Sequence, residues 1–241
     1  MKRADTTDTI KKLRKFLAHH SLPGASAQGR LAPSDRKTDR ENDSGARKSR
    51  EQSLVLSRAA VLILLYPMSP PFSKTGAPIT RKNRLHLPLI LRPNDGTPHA
   101  GQISLPGGRH EGDEEFPVET ALRETQEELG IHPSSLDILG SLSPLHVRVS
   151  EVTVTPVVAY TGSLPEIIPD PKEVADYFHA PLDAFLSGVR LGSFDTRGTM
   201  IEAPYYPTAA GRVWGATAMI LAEFIEIYSA ARRESKEEKE R

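Results

Sequence analysis

One segment constrains this chain more than any other: Gly107 to Ile131, GGRHEGDEEFPVETALRETQEELGI. Pro117 sits where a helix tolerates proline, in its first turn, and Gly130 where a helix favours glycine, just past its end. Val118, Ala121, Leu122, Thr125 and Leu129 recur on one face at helical spacing. Glu124, Glu127 and Glu128 fall together on the flank beside that face, at i, i+3 and i+4. Each like-charge pair at this spacing costs about 0.2–0.5 kcal/mol. Glu127 and Glu128 also lie in the last turn, where the helix dipole disfavours an anion by about 0.3–1 kcal/mol each. A plain solvated acidic face would have to absorb roughly 1–3 kcal/mol from these terms. A divalent cation answers the penalty, because clustered hard oxygen ligands suit Mg²⁺ or Mn²⁺. Glu124, Glu127 and Glu128 are therefore the candidate metal ligands. A small cation held this way commonly also binds substrate phosphates, and the Gly107-Gly108 turn lets backbone groups come close, as only glycine permits.

Composition narrows the remaining options. Lys+Arg and Asp+Glu both number 31 in 241 residues, so a globally basic nucleic-acid binder is not expected. With no cysteine, disulfides, thiol catalysis and Cys-ligated metal centres are excluded. The longest apolar stretch, Ala59 to Tyr66, is far too short for a bilayer-spanning helix. The start, MKRADTTDTI, has no apolar core of a secretory signal. The expectation is a soluble, cytoplasmic protein with a small-molecule partner, no nucleic acid and no membrane; a homodimer stays open.

The chain divides by charge and punctuation. Residues 1–50 carry 13 Lys or Arg against 6 Asp or Glu. Ile10, Leu13 and Leu17 make one face of a short helix, and 34–53 reads as a disordered linker. Residues 1–53 are thus expected as a basic arm, mostly solvated, the alternative being that Ile10–Ala18 docks on the domain or on a partner subunit. A main domain follows at 54–231, and a charged tail, the frayed end of a helix, at 232–241. Within the domain, strands are expected at Ala59–Tyr66 (closed by Pro67), Leu85–Leu91 (an edge or bulge because of Pro88), Leu136–Val147, Val152–Tyr160 and Glu173–Ala180. Arg190–Tyr206 reads as a hairpin, and helices are expected over Pro117–Leu129 and Ala216–Ala231. Strands outnumber helices without regular alternation, which argues for a mixed sheet with helices packed on it.

The Gly107–Ile131 segment resembles the signature of the Nudix hydrolases, G-x5-E-x7-R-E-U-x-E-E-x-G-U, where U is a bulky aliphatic residue. Arg123, Glu124, Glu127, Glu128, Gly130 and Ile131 match in register. Counted from Gly108, the run to Arg123 is one residue too long. Glu115 keeps the x7 spacing to Arg123, whereas Glu114 keeps the x5 spacing to Gly108. Glu115 is favoured here, on the ground that helix geometry fixes its relation to Arg123. Thr125 stands in place of an aliphatic residue. The resemblance implies an α+β fold, an α/β/α sandwich with a mixed sheet between helices. It implies that Glu124, Glu127 and Glu128 bind Mg²⁺ or Mn²⁺, that Arg123 pairs with Glu115, and that the reaction is hydrolysis of a nucleoside diphosphate linked to another group. Which group activates water stays open.

The upstream stretch LPLILRPNDGTPHAGQISLPGG is similar to the extended motif of coenzyme A pyrophosphatases. Arg92, His99, Gly101, Gln102, Pro106, Gly107 and Gly108 occupy its places. Looser matches lie near Leu22, at Thr155 and at Val213. This subgroup resemblance implies coenzyme A or acyl-CoA as substrate, cleaved to adenosine 3′,5′-bisphosphate and 4′-(acyl)phosphopantetheine, with Arg92, His99, Gln102, Gly107 and Gly108 binding it. Arg81, Lys82 and Arg84 are further candidates for phosphate contacts, against a solvated loop. Glu173 reads as structural before it reads as an extra ligand or base, and Trp214 as core before an adenine platform. The rivals are a Nudix hydrolase for ADP-ribose, dinucleoside polyphosphates or nucleoside triphosphates, and a non-catalytic Nudix-like sensor module.

Overall fold

The computed structural model describes residues 6–19, 21–34, 57–68, 84–96, 99–196 and 198–240. The linker beyond Ser34 and the candidates Arg81 and Lys82 lie outside them. The elements in chain order are α1 (Thr6–His19), α2 (Gly24–Gln28), β1 (Ser57–Met68), β2 (Arg84–Leu91), β3 (Ile103–Ser104), β4 (Gly107–Arg109) and α3 (Val118–Leu129). There follow β5 (Asp137–Ser141), β6 (Leu145–Val147), β7 (Val152–Tyr160), β8 (Asp176–Pro181), α4 (Leu182–Phe185), β9 (Arg190–Thr196), β10 (Thr199–Thr208), β11 (Gly211–Trp214) and α5 (Gly215–Glu240).

The main sheet has eight strands, with the path β3-β2-β1-β7-β5; β4 adds to β1, β6 to β7 and β8 to β2. β1 and β7 run parallel and the other pairs antiparallel, so the sheet is mixed as expected. β9, β10 and β11 form a separate three-stranded sheet, whose first two strands are the expected hairpin. β1 explains the layering by its alternation. Ala60, Leu62, Leu64 and Tyr66 face α3 together with Ala121, Leu129 and Val157. Ile63 and Leu65 face the opposite layer, where they meet Leu13 and Leu17 of α1 and Leu221 and Phe224 of α5. A fully buried aliphatic side chain contributes about 1.5–3 kcal/mol, so a central strand buried on both faces anchors both cores. The fold is an α/β/α sandwich.

Several boundaries differ from the expected ones for identifiable reasons. β1 runs through Pro67, because the β7 ladder ends at Leu65–Tyr160 and no partner is left for the missing N–H. β2 is interior, yet on one side Pro88 falls in a gap between its residues Arg84–His86, which pair with β1, and Ile90–Leu91, which pair with β3, while on the other side it stays opposite His179 of β8. The single strand expected over Leu136–Val147 is two, β5 and β6.

The N-terminal arm is not a solvated tail in its helical part. Ile10, Leu13 and Leu17 are buried, and Arg14 donates to the Ile138 carbonyl at 2.8 Å and to Asp137 at 2.5 Å. The C-terminal tail continues α5 and receives α1: Ser235 is buried and bonds Asp8, and Lys12 pairs with Glu238 at 2.7 Å. Glu223, fully buried on α5, accepts from the Gly24 N–H at 3.1 Å and from Gln28 Nε2 at 2.8 Å. Periodicity exposed the apolar stripe of α1 but not the α5 surface that covers it.

Candidate active site

α3 starts at Val118 and ends at Gly130, whose left-handed φ of 68° and N–H bond to the Gln126 carbonyl (2.8 Å) close the helix. Its buried side chains are Thr120, Ala121, Thr125, Glu128 and Leu129. Thr125 satisfies its hydroxyl by donating to the Ala121 carbonyl at 2.7 Å. Glu128 therefore belongs to the buried face and not to a solvated flank; it is 3% exposed.

The glycine pair makes room for the carboxylates. A Cβ on Gly108 would lie 2.3 Å from Glu124 Oε2, so the Glu124 carboxylate occupies space that any side chain there would fill. Gly107 has φ 143° and runs so close to β1 that a Cβ would lie 2.3 Å from the Ala60 carbonyl oxygen. Its N–H donates to Glu128 Oε2 at 2.8 Å.

A third carboxylate arrives from a loop. The N–H groups of Ile168 and Asp170 donate to the carbonyls of Leu129 (2.9 Å) and Glu128 (3.0 Å), acceptors that the end of a helix leaves unpaired. Asp170 turns the chain by accepting from the Val174 N–H at 2.9 Å, and the Ala175 N–H reaches the Leu91 carbonyl at 2.9 Å. This clamp delivers Glu173, which was expected to be structural, to the helix. Ligand oxygens of Glu124, Glu128 and Glu173 all lie within 4.8 Å of one another.

Burial raises the Glu124 carboxyl above its ordinary value, against the pull of Arg123. Burial pushes Glu128 up to about 8, opposed by the Gly107 N–H and by the charge of Arg92, and reinforced by Glu124 and Glu173. Three converging hard oxygens, two of them withdrawn from water, suit Mg²⁺ or Mn²⁺. Glu127 stands apart from this set. It is exposed and accepts from Arg123 Nη1 at 2.6 Å.

Arg123 is the hub of the helix–loop junction. It donates to the Arg109 carbonyl and to Glu124 Oε1, both at 2.9 Å, and its Nε bonds Glu114. The expected partner, Glu115, is exposed, and its N–H bonds Glu119 at 2.7 Å. The inference failed because Phe116 and Pro117 precede the helix, so helical geometry does not reach back to Glu115. Glu114 is held inward by a chain of bonds. Thr120 gives its one hydroxyl proton to Glu114 at 2.8 Å, so at 3.1 Å it accepts from His110, which carries its proton on Nδ1. Arg123 keeps Glu114 below the usual carboxylate range.

Arg92, His99, Gln102, Gly107 and Gly108 line one cavity of about 220 Å³. A tight turn sets the first three: the Arg92 N–H bonds the Gln102 carbonyl at 3.0 Å, and the Gln102 N–H bonds that of His99 at 3.2 Å. Arg84 lies elsewhere and pairs with Asp183 at 3.3 Å. Trp214 stacks on Phe194 with ring centroids 4.3 Å apart.

Comparison with known proteins places the chain in a family. The NUDIX domain family model matches residues 72–197. A Nudix hydrolase NudL of Pectobacterium atrosepticum, itself uncharacterized, is 37% identical over 135 residues, covering 55% of this chain and 70% of that protein. NudL of Yersinia pestis is 35% identical over 156 residues, covering 58% and 76%. Among solved structures, the MutT protein of Methanosarcina mazei is similar at 20% identity and a TM-score of 0.43, covering 76% of this chain and 99% of that one. The chain is thus an enzyme of the pyrophosphohydrolase class, acting on nucleoside diphosphate-linked substrates. It belongs to the Nudix hydrolase family. No described helix is long and apolar enough to cross a membrane.

Proposed function

We propose that this protein is a cytoplasmic, Mg²⁺- or Mn²⁺-dependent hydrolase of coenzyme A or acyl-CoA, releasing adenosine 3′,5′-bisphosphate and 4′-(acyl)phosphopantetheine. One observation carries the reading. Arg92, His99, Gln102, Gly107 and Gly108, the residues that liken this chain to coenzyme A pyrophosphatases, line a single cavity. The Gly108 backbone adjoins the Glu124 carboxylate, so the cavity and the acidic cluster share one strand.

Glu124, Glu128 and Glu173 would hold the metal, and Glu127 contributes through Arg123 instead of through the cluster. A divalent cation held by these carboxylates would supply charge neutralisation for a diphosphate attacked in line by water. The absence of a side chain at Gly108 leaves room for the Glu124 carboxylate beside the cavity wall. Arg92 offers charge-assisted bonds to a phosphate oxygen. Arg123 bonds the Glu124 carboxylate and ties α3 to the Arg109 carbonyl.

The deciding experiment is hydrolysis of coenzyme A, ADP-ribose, diadenosine polyphosphates and nucleoside triphosphates, with and without Mg²⁺. Metal-dependent release of adenosine 3′,5′-bisphosphate from coenzyme A, faster than any other cleavage, is the expected result. Intact coenzyme A beside rapid cleavage of ADP-ribose would overturn the assignment.

A further inference from the structure

The cavity has a chemistry that diphosphate hydrolysis alone does not use. Val61 of β1, Val152 and Val154 of β7 and Val147 of β6 form its floor, on the sheet face opposite α3; Ala216 and Ile220 of α5 close it from above. Strand register puts the floor residues on one face: Ala59 pairs with Val154 across the parallel ladder, and Val147 pairs with Val152. A volume of about 220 Å³ far exceeds the roughly 10–15 Å³ that one ordered water requires, so the space fits an organic group.

The walls select among the parts of a substrate. No Phe, Tyr or Trp is among the described residues lining the cavity. The aromatic side chains of the small sheet engage one another: Phe194 lies between Trp214 at 4.3 Å and the Arg212 guanidinium at 4.5 Å. A purine is held mainly by stacking, worth about 1–3 kcal/mol per base, and the valine floor and the α5 wall supply no such platform; the planar groups of the lining, Arg92, His99 and Arg109, come from the stretch between β2 and β3 and from β4. The floor and the α5 wall suit a saturated chain, which gains from burial in proportion to the apolar area removed from water. Ser150 and Thr217, also in the lining, offer hydroxyls that can bond an amide.

We propose that this cavity seats the aliphatic, amide-bearing arm of a coenzyme A-type substrate, while the adenosine moiety stays outside it. The inference rests on the coenzyme A reading above and adds which half enters. Arg92, His99 and Gln102 then meet the phosphate at the root of the arm.

The test measures binding of the two product halves, 4′-phosphopantetheine and adenosine 3′,5′-bisphosphate, by calorimetry on the full chain with Mg²⁺. Ala216→Phe fills the cavity, and Val61→Thr keeps the wall's shape but makes it polar. Affinity for 4′-phosphopantetheine is expected to fall about tenfold or more in Ala216→Phe and several-fold in Val61→Thr. Affinity for adenosine 3′,5′-bisphosphate should stay within about twofold of the parent. A loss falling on the bisphosphate, or no loss for either half, overturns the assignment. Should Ala216→Phe fail to melt cooperatively, Val61→Thr decides alone. If the parent cleaves coenzyme A but the adenine half shows the loss, only the cavity assignment falls. If the parent binds neither half and leaves coenzyme A intact, the coenzyme A reading falls and takes this inference with it.

Discussion

Replacing Glu128 by Gln separates what this residue does for the fold from what it does for the reaction. The substitution keeps the shape of the side chain and an oxygen to accept the Gly107 N–H, while removing a titratable carboxyl that is 3% exposed. In the unfolded chain this carboxyl titrates near its ordinary value of 4.5, and in the fold burial raises it to about 8. Between those values the native protein holds a proton that the unfolded chain has lost, so stability is complete below about 4.5 and falls as pH rises toward about 8. One unit is worth about 1.4 kcal/mol, which puts the loss at pH 7 near 3 kcal/mol as an upper figure. Allowing for relaxation, Glu128→Gln should be more stable than the parent by about 1–3 kcal/mol at pH 7 in EDTA, and by little at pH 4.5. For a chain of this size that is a rise of several degrees in Tm. Millimolar Mg²⁺ should reverse the order, stabilising the parent by linkage and the variant much less. Turnover with Mg²⁺ should fall about 10²-fold or more. The assay is a set of thermal melts at the two pH values, with EDTA or Mg²⁺, beside hydrolysis rates. A variant less stable than the parent at pH 7 in EDTA, with an unchanged Mg²⁺ response and parental turnover, would refute the argument from burial and the metal role together.

Three further outcomes follow from the geometry. Glu114→Gln should lower Tm and turnover while Glu115→Gln changes neither, and because Arg123 holds the Glu114 carboxyl low, the parent's advantage should shrink as pH falls below the ordinary carboxylate value; melts of both variants from pH 3 to 7 check this. Gly108→Ala should cost about 10²-fold or more in turnover with Mg²⁺, because the added methyl would meet the Glu124 carboxylate 2.3 Å away; equal rates would show that the carboxylate moves freely. Leu13→Ala should destabilise by about 2–5 kcal/mol in denaturant unfolding, as a fully buried leucine does, whereas a merely tethered arm would show no loss.

Local order in the sequence determined a good part of this protein. Helical spacing, with Pro117 at the start and Gly130 at the end, defined α3 to within a residue. The clustering of Glu124, Glu127 and Glu128 against electrostatic preference singled out the helix that carries two of the three converging carboxylates. These properties are legible because they depend on neighbours along one helix, whose geometry is fixed. Tertiary structure decided everything that depends on neighbours distant in sequence. It exchanged Glu127 for Glu173 in the acidic cluster, because a loop clamped to the last carbonyls of α3 reaches the helix from beyond β7. It chose Glu114 over Glu115, because the chain before Val118 is not helical and spacing there does not fix direction. It buried α1 under the tail of α5, whose mixed charges conceal a paired and partly buried surface. A side chain's partner across the fold is set by packing, and packing leaves no periodicity in the sequence to read.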